Sequence, residues 1–112
     1  MKLAIAGTRG VRVNISNYHL PEGVTEIVSG GATGVDLSAR KYAEKSGIPY
    51  REFLPDYKSY GRHAPLVRNQ QIAEYADSLV AFWDGKSRGT LHTITLFQKL
   101  NKPVTIIRLK QG

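Results

Sequence analysis

Short apolar blocks alternate along this chain with longer stretches whose apolar residues recur three and four positions apart. The two periods are those of buried strands and of helices lying on them. Lys2 to Ala6 is the first such block, and Thr25 to Val28, Tyr50 to Leu54, Ser78 to Trp83 and Val104 to Leu109 follow. A helix is predicted from about Val35 to Lys45, with Val35, Ala39, Tyr42 and Ala43 inward and Arg40, Lys41, Glu44 and Lys45 outward. Gly47 and Pro49 stop it. Pro65 opens a second helix to about Tyr75 or Ala76, with Ile72, Ala73 and Ala76 as its apolar stripe. Gly89-Thr90 opens a third, to about Leu100, with Thr93, Phe97 and Leu100 on one face. Val11 to Gly23 fits neither period cleanly. Val11, Val13 and Ile15 alternate as an exposed strand would, whereas Asn14, Ser16 and Asn17 favour turns. Asp56 to His63 is polar, aromatic and turn-like.

Strands alternating with helices predict a single α/β domain. Its expected architecture is a Rossmann-like, open and mostly parallel sheet of about five strands with helices on both faces. The near-continuous apolar runs Ile27-Val28 and Leu79-Val80-Ala81-Phe82 agree, because parallel strands are covered on both sides.

Composition narrows the chemistry. A hydrophobic fraction of 41% and a charged fraction of 22% over 112 residues argue for one ordered domain and against disorder. Without cysteine there is no disulfide, thiol nucleophile or cysteine metal site. His19, His63 and His92 share no ligand spacing, so no metal is expected. No apolar run suits a membrane span or a signal-peptide core, and a cytoplasmic protein is expected. The net charge of +7 favours anionic partners, although the basic residues are scattered, with Arg62, His63 and Arg68 the densest group.

In an open parallel sheet, ligands bind beyond the carboxyl ends of the strands. The first strand ends there in Gly7-Thr8-Arg9-Gly10 and the second in Ser29-Gly30-Gly31-Ala32-Thr33-Gly34. The third ends in Pro55-Asp56-Tyr57 and the fourth in Asp84-Gly85-Lys86-Ser87-Arg88-Gly89-Thr90. The second and fourth run straight into helices, whose first N–H groups and dipole suit an anion. Gly7, Thr8, Arg9, Ser29, Gly30, Gly31, Ala32, Thr33 and Gly34 are therefore candidate ligand-binding residues, with Ser87, Gly89 and Thr90 from the fourth loop. Neither the dinucleotide G-x-G-x-x-G pattern nor a Walker A loop is present.

Arg68 and Asn69 lie on the inner face of the Pro65 helix, and a guanidinium pointing inward must be paired. Either Asp36 or Asp84 neutralises it, or it reaches the crevice and meets phosphate. Asp36, in the first turn of its helix, complements the dipole and can also order a ligand site. Asp84 and Asp56 are the candidate acid/base residues. Trp83, Tyr57 and Tyr60 can stack on a base or pack on the core.

Ile5-Ala6-Gly7-Thr8-Arg9 and Ser29-Gly30-Gly31-Ala32-Thr33-Gly34-Val35-Asp36 resemble the opening of the SLOG superfamily. That group includes the DNA-processing protein A (Smf) and the LOG, or "lysine decarboxylase-like", proteins. Leu54-Pro55-Asp56-Tyr57, Tyr60-Gly61-Arg62, Ala64-Pro65, Arg68-Asn69 and Ala81-Phe82-Trp83-Asp84-Gly85-Lys86-Ser87-Arg88-Gly89-Thr90 resemble its small stand-alone YspA-type members, common in bacteria and phages. The resemblance implies nucleotide or nucleotide-derived ligands at the glycine turns, ADP-ribose-like ones included, and is consistent with a homodimer. In the LOG motif a catalytic glutamate follows Gly-Thr; here Gly89-Thr90 matches but Thr93 stands at the glutamate position, on the buried stripe. Three functions are thus expected, in this order: a nucleotide-binding module or sensor, a hydrolase of a nucleotide's glycosidic or phosphate bond, and a single-stranded nucleic-acid binder. The aromatic groove that would suit the last is not evident.

Overall fold

The computed structural model describes residues 1–109. Its strands are β1 (Lys2–Gly7), β2 (Glu26–Ser29), β3 (Tyr50–Glu52), β4 (Ser78–Trp83) and β5 (Val104–Arg108). The helices are α1 (Val35–Ser46), the short α2 (Tyr57–Tyr60), α3 (Ala64–Tyr75) and α4 (Arg88–Lys99). All five strands are parallel, in the order β3-β2-β1-β4-β5. This is a Rossmann-like open α/β sheet with helices on both faces.

The period of two along each strand sorts the core. Leu3, Ile5, Ile27, Val80 and Phe82 face one side, where Val35, Ala39 and Ala43 of α1 cover them. Ala4, Val28, Leu79 and Ala81 face the other, beneath Ile72, Ala73 and Ala76 of α3 and Ile94 and Phe97 of α4. Small residues on β1 and β4 let α3 and α4 approach the sheet closely. Chain direction and layer are linked: steps toward β3 cross one face and steps toward β5 the other, as right-handed crossovers require. Among the described residues no helix is long and apolar enough to cross a membrane.

Helix ends follow local chemistry. Gly47 closes α1 in the left-handed conformation at φ 68°, donating to the Ala43 and Glu44 carbonyls. At the end of α3 the Lys102 ammonium donates to the carbonyls of Ala73, Glu74 and Ala76 at 2.7, 3.0 and 2.8 Å. One cation thereby satisfies three acceptors that the helix leaves open.

Two stretches that the sequence describes only loosely take definite form, and one expectation is corrected. The alternation of Val11, Val13 and Ile15 does not make a strand; a 3-10 turn at Ile15–Asn17 carries Ile15 into the α1-side core. Its N-cap Asn14 accepts from the Ser16 N–H, so the polar residues decide the backbone. The turn-like stretch Asp56 to His63 forms α2, capped by Asp56, and a second 3-10 turn, Gly61–His63. Leu100 is exposed, because α4 has ended and the residue caps it.

Candidate functional site

At the β1–β4 pair the order of the sheet reverses, and the loops leaving these two strands part toward opposite faces. A crevice at the carboxyl edge is the geometric result. It is a cleft of about 540 Å³. Gly7, Thr8 and Arg9 border it from the first loop, Gly30 and Ala32 from the second, and Asp84, Ser87, Gly89 and Thr90 from the fourth. Asp36, Arg68 and Asn69 complete the expected set on its walls. Gly31 and Thr33 border an adjoining recess of about 270 Å³, which shares Arg9, Gly30, Ala32 and Arg68 with the cleft.

Four sequence candidates have other roles. The Ser29 hydroxyl meets the Tyr50 hydroxyl at 2.5 Å, and Tyr50 donates onward to Glu52, so the serine joins β2 to β3 instead of facing ligand. Gly34 is the N-cap of α1 at φ 76°, and it presses against the backbone of the first loop. Asp56 is exposed and accepts from the Ser59 N–H at 3.1 Å, capping α2 outside both cavities. Trp83 donates its indole N–H to the Ser87 carbonyl at 3.0 Å, which steadies the fourth loop. Tyr57 and Tyr60 are exposed.

The second loop uses its own donors. Asp36 is only 9% exposed, and its Oδ2 accepts from the Ala32 N–H at 3.1 Å, while Gly31 N–H turns to the Ser29 hydroxyl at 3.4 Å. The fourth loop is differently built. Oδ1 of Asp84 accepts from the N–H groups of Lys86 and Ser87 at 2.8 and 2.9 Å, and Ser87 caps α4 by accepting from Thr90 N–H. The N–H groups of Arg88 and Gly89 have no such partner among the described residues, and Gly89 stands on the cleft. The start of α1 has no side-chain cap at Gly34, so both glycine turns that open helices keep N–H donors open at the edge of the sheet.

Arg68 joins the two halves of the cleft. It is 7% exposed, and its bonds go to uncharged oxygens: Nη1 to the Gly30 carbonyl at 2.6 Å, Nε to the Asn69 Oδ1 at 2.9 Å, and a longer contact from Nη1 to the Phe53 carbonyl at 3.5 Å. Of the two readings left open for it, the ion pair with Asp36 or Asp84 is not what holds the guanidinium, although the Asp36 field favours its charge. Nη2 has no protein partner among the described residues, and no buried side-chain nitrogen or oxygen there lacks one, so Nη2 keeps some exposure on a residue that borders both the cleft and the recess. Burial lowers the proton affinity of Arg68, with Asp36 opposing and Arg9 adding repulsion. Asp36 offsets part of the cost of burying this cation, and Arg9 adds to that cost.

Asp36 lies under the same strain from the other side. Burial raises its pKa, against the Ala32 N–H, Arg68, Gly30 and Arg9, which lower it. A carboxyl whose folded pKa exceeds the unfolded value of 3.8 contributes stability that is complete below that value and is lost as pH rises through the folded pKa. Asp36→Asn, which keeps an oxygen for Ala32 N–H, therefore unfolds at a higher temperature than the parent near pH 7. The margin closes as pH falls toward about 4. Thermal melts of both proteins across that range check this; a variant that melts lower at neutral pH shows that the Arg68 attraction outweighs burial.

Lys86, Thr93, Pro65 and Leu66 also border the cleft and were not among the expected site residues. Lys86 was legible from its place in the fourth loop. Thr93 donates its hydroxyl to the Gly89 carbonyl at 3.1 Å, so the position that resembles the LOG glutamate both packs on the helix and reaches the cavity wall. Among the described residues no three His, Asp or Glu side chains cluster to hold a metal. Comparison with protein families, curated proteins and solved structures finds no match.

Proposed function

We propose that this chain binds a nucleotide or nucleotide-derived ligand, with a phosphate between Arg68 and the fourth loop, as a binding module or sensor without turnover of its own. The observation that carries the reading is Arg68: a buried guanidinium on the wall of the cleft, its Nη2 without a protein partner among the described residues, with a second cation, Arg9, on the same wall. Phosphate gives the Arg68 and Arg9 pair a further negative partner, and the planar guanidinium suits its oxygens. The N–H groups at the start of α4 add donors on the facing wall. A cavity of about 540 Å³ is of the size that small-molecule sites have. The reading also assigns the chain to the SLOG superfamily that its loops resemble.

Turnover is left out for a chemical reason. Backbone N–H groups of Ser87 and Lys86 hold the Asp84 carboxyl below the usual carboxylate range, so it stays ionised and committed to its loop. Asp56 is likewise held low by Ser59, outside the cleft.

Calorimetric titration with mononucleotides, ADP-ribose and cyclic dinucleotides, each against its phosphate-free nucleoside, tests the proposal. Saturable binding of a phosphate-bearing compound, with its nucleoside much weaker, is expected. Equal affinity for nucleoside and nucleotide removes the phosphate site. Binding confined to oligonucleotides, with a steep salt dependence, assigns the basic surface to single strands instead.

A further inference from the structure

Arg68 is held by a chain of side chains that ends at His92, on α4. Its Nε can only donate, so the Asn69 atom 2.9 Å away is the carbonyl oxygen. The orientation of the Asn69 amide is thereby fixed, and its NH₂ faces Nδ1 of His92 at 3.1 Å. An NH₂ group offers only hydrogens, so Nδ1 accepts, and the ring is neutral with its proton on Nε2.

We propose that His92 is a positioning residue whose protonation releases Arg68 from its place in the cleft wall. A proton on Nδ1 sets N–H against NH₂. If the amide stays, the Asn69–His92 bond is lost; if it turns over, its NH₂ meets the Arg68 Nε–H, and the guanidinium loses its anchor. Either way one link of the chain breaks: in the first case Arg68 keeps only an amide that nothing now holds in place, and in the second it is left chiefly to the Gly30 carbonyl.

The surroundings keep the ring neutral near pH 7. Burial disfavours the imidazolium, and Lys99 on the same helix adds repulsion. From α3, packed against α4, come Asn69 and behind it Arg68, while Glu74 is bound to Gln70. The β4 strand carries no titratable side chain. Lys2 of β1 lies over the Tyr75 ring, and Arg108 of β5 over Trp83. The transition therefore falls below the ordinary histidine value of 6.5.

The consequence for ligand rests on the phosphate reading above, but the device itself is tested without ligand. Nitrogen-15 NMR of the free protein reads the His92 tautomer and the Arg68 Nε–H signal from about pH 8 to pH 5. Expected are an Nε2–H tautomer at the upper end and an Arg68 signal that broadens away as His92 titrates. In His92→Gln, whose carbonyl oxygen accepts from Asn69 at every pH, the Arg68 signal persists throughout; in His92→Leu it is weak throughout. A proton on Nδ1 at pH 8, or an Arg68 signal indifferent to the His92 titration, overturns the proposal. Sulfate, whose charge is constant over this range, then reads the effect on the cleft. Its affinity falls about tenfold between the two ends in the parent and stays level in His92→Gln. A parent protein that binds no sulfate while its Arg68 signal still follows His92 upholds the device and removes the phosphate reading.

Discussion

Arg68→Gln weakens binding of a phosphate-bearing nucleotide by about 100-fold, with the matching nucleoside little changed. The size follows from losing a charged donor inside a buried wall, which costs about 2–5 kcal/mol where the partner is an anion. Glutamine is too short to keep both the Gly30 carbonyl and the Asn69 oxygen, which Arg68 holds at 2.6 and 2.9 Å. It also leaves Asp36 without its nearest compensating field, so the Asp36 carboxyl moves further toward its protonated form. The fold survives, because a desolvated cation is removed along with its bonds. Calorimetry with the nucleotide and nucleoside, alongside far-UV circular dichroism, separates the two effects. Nucleotide and nucleoside weakened alike would make Arg68 a brace for the second loop and no anion contact.

Gly34→Ala lowers stability by about 3 kcal/mol, and Tm by more than about 10 °C. Gly34 sits at φ 76° with ψ −124°, and a Cβ there would lie 2.7 Å from the Gly10 nitrogen and 2.9 Å from the Thr8 and Val11 carbonyl oxygens. All three are backbone atoms, so the first loop must move away from the start of α1. Gly10→Ala is the control for space: its φ of 78° is also positive, yet a Cβ there meets nothing within 4 Å, so a conformational penalty of about 1 kcal/mol is expected. Denaturant titration of both variants reads the difference. Equal losses would mean that the close approach of the two loops is not what requires glycine at position 34.

Much of this architecture was legible because its causes are local. Ser78 to Trp83 reads as a strand and is one, since an apolar run of six residues bounded by Asp77 and by Asp84-Gly85 is too short for a helix and long enough for a strand covered on both faces. Pro65 and Gly47 mark helix ends through φ preferences that tertiary contacts do not override. The site was partly legible, in that glycine loops at strand ends must converge where a parallel sheet reverses. That the second loop turns the Gly31 and Ala32 N–H groups onto its own side chains was not read, although Asp36 stands only four residues after Ala32 and a return bond at that spacing is a local matter. Ile15 was missed as core because its alternating neighbours suggest a strand, while Asn14 turns the backbone. The Asn69–His92 contact had no local signal: it depends on how α3 and α4 lie against each other.

The pairing of β1 with β4 sets Leu3 beside Ser78 and Gly7 beside Phe82, joining the first strand to one from the last third of the chain. Closing so long a loop is the slow part of assembling such a sheet. The cleft opens over this seam, so it does not exist in any partly assembled form that lacks the pairing. A ligand that recognises only the finished seam leaves the rate of refolding unchanged and lengthens the lifetime of the folded state. Occupancy of the cleft is thus written into how long the protein endures, and not into how fast it forms.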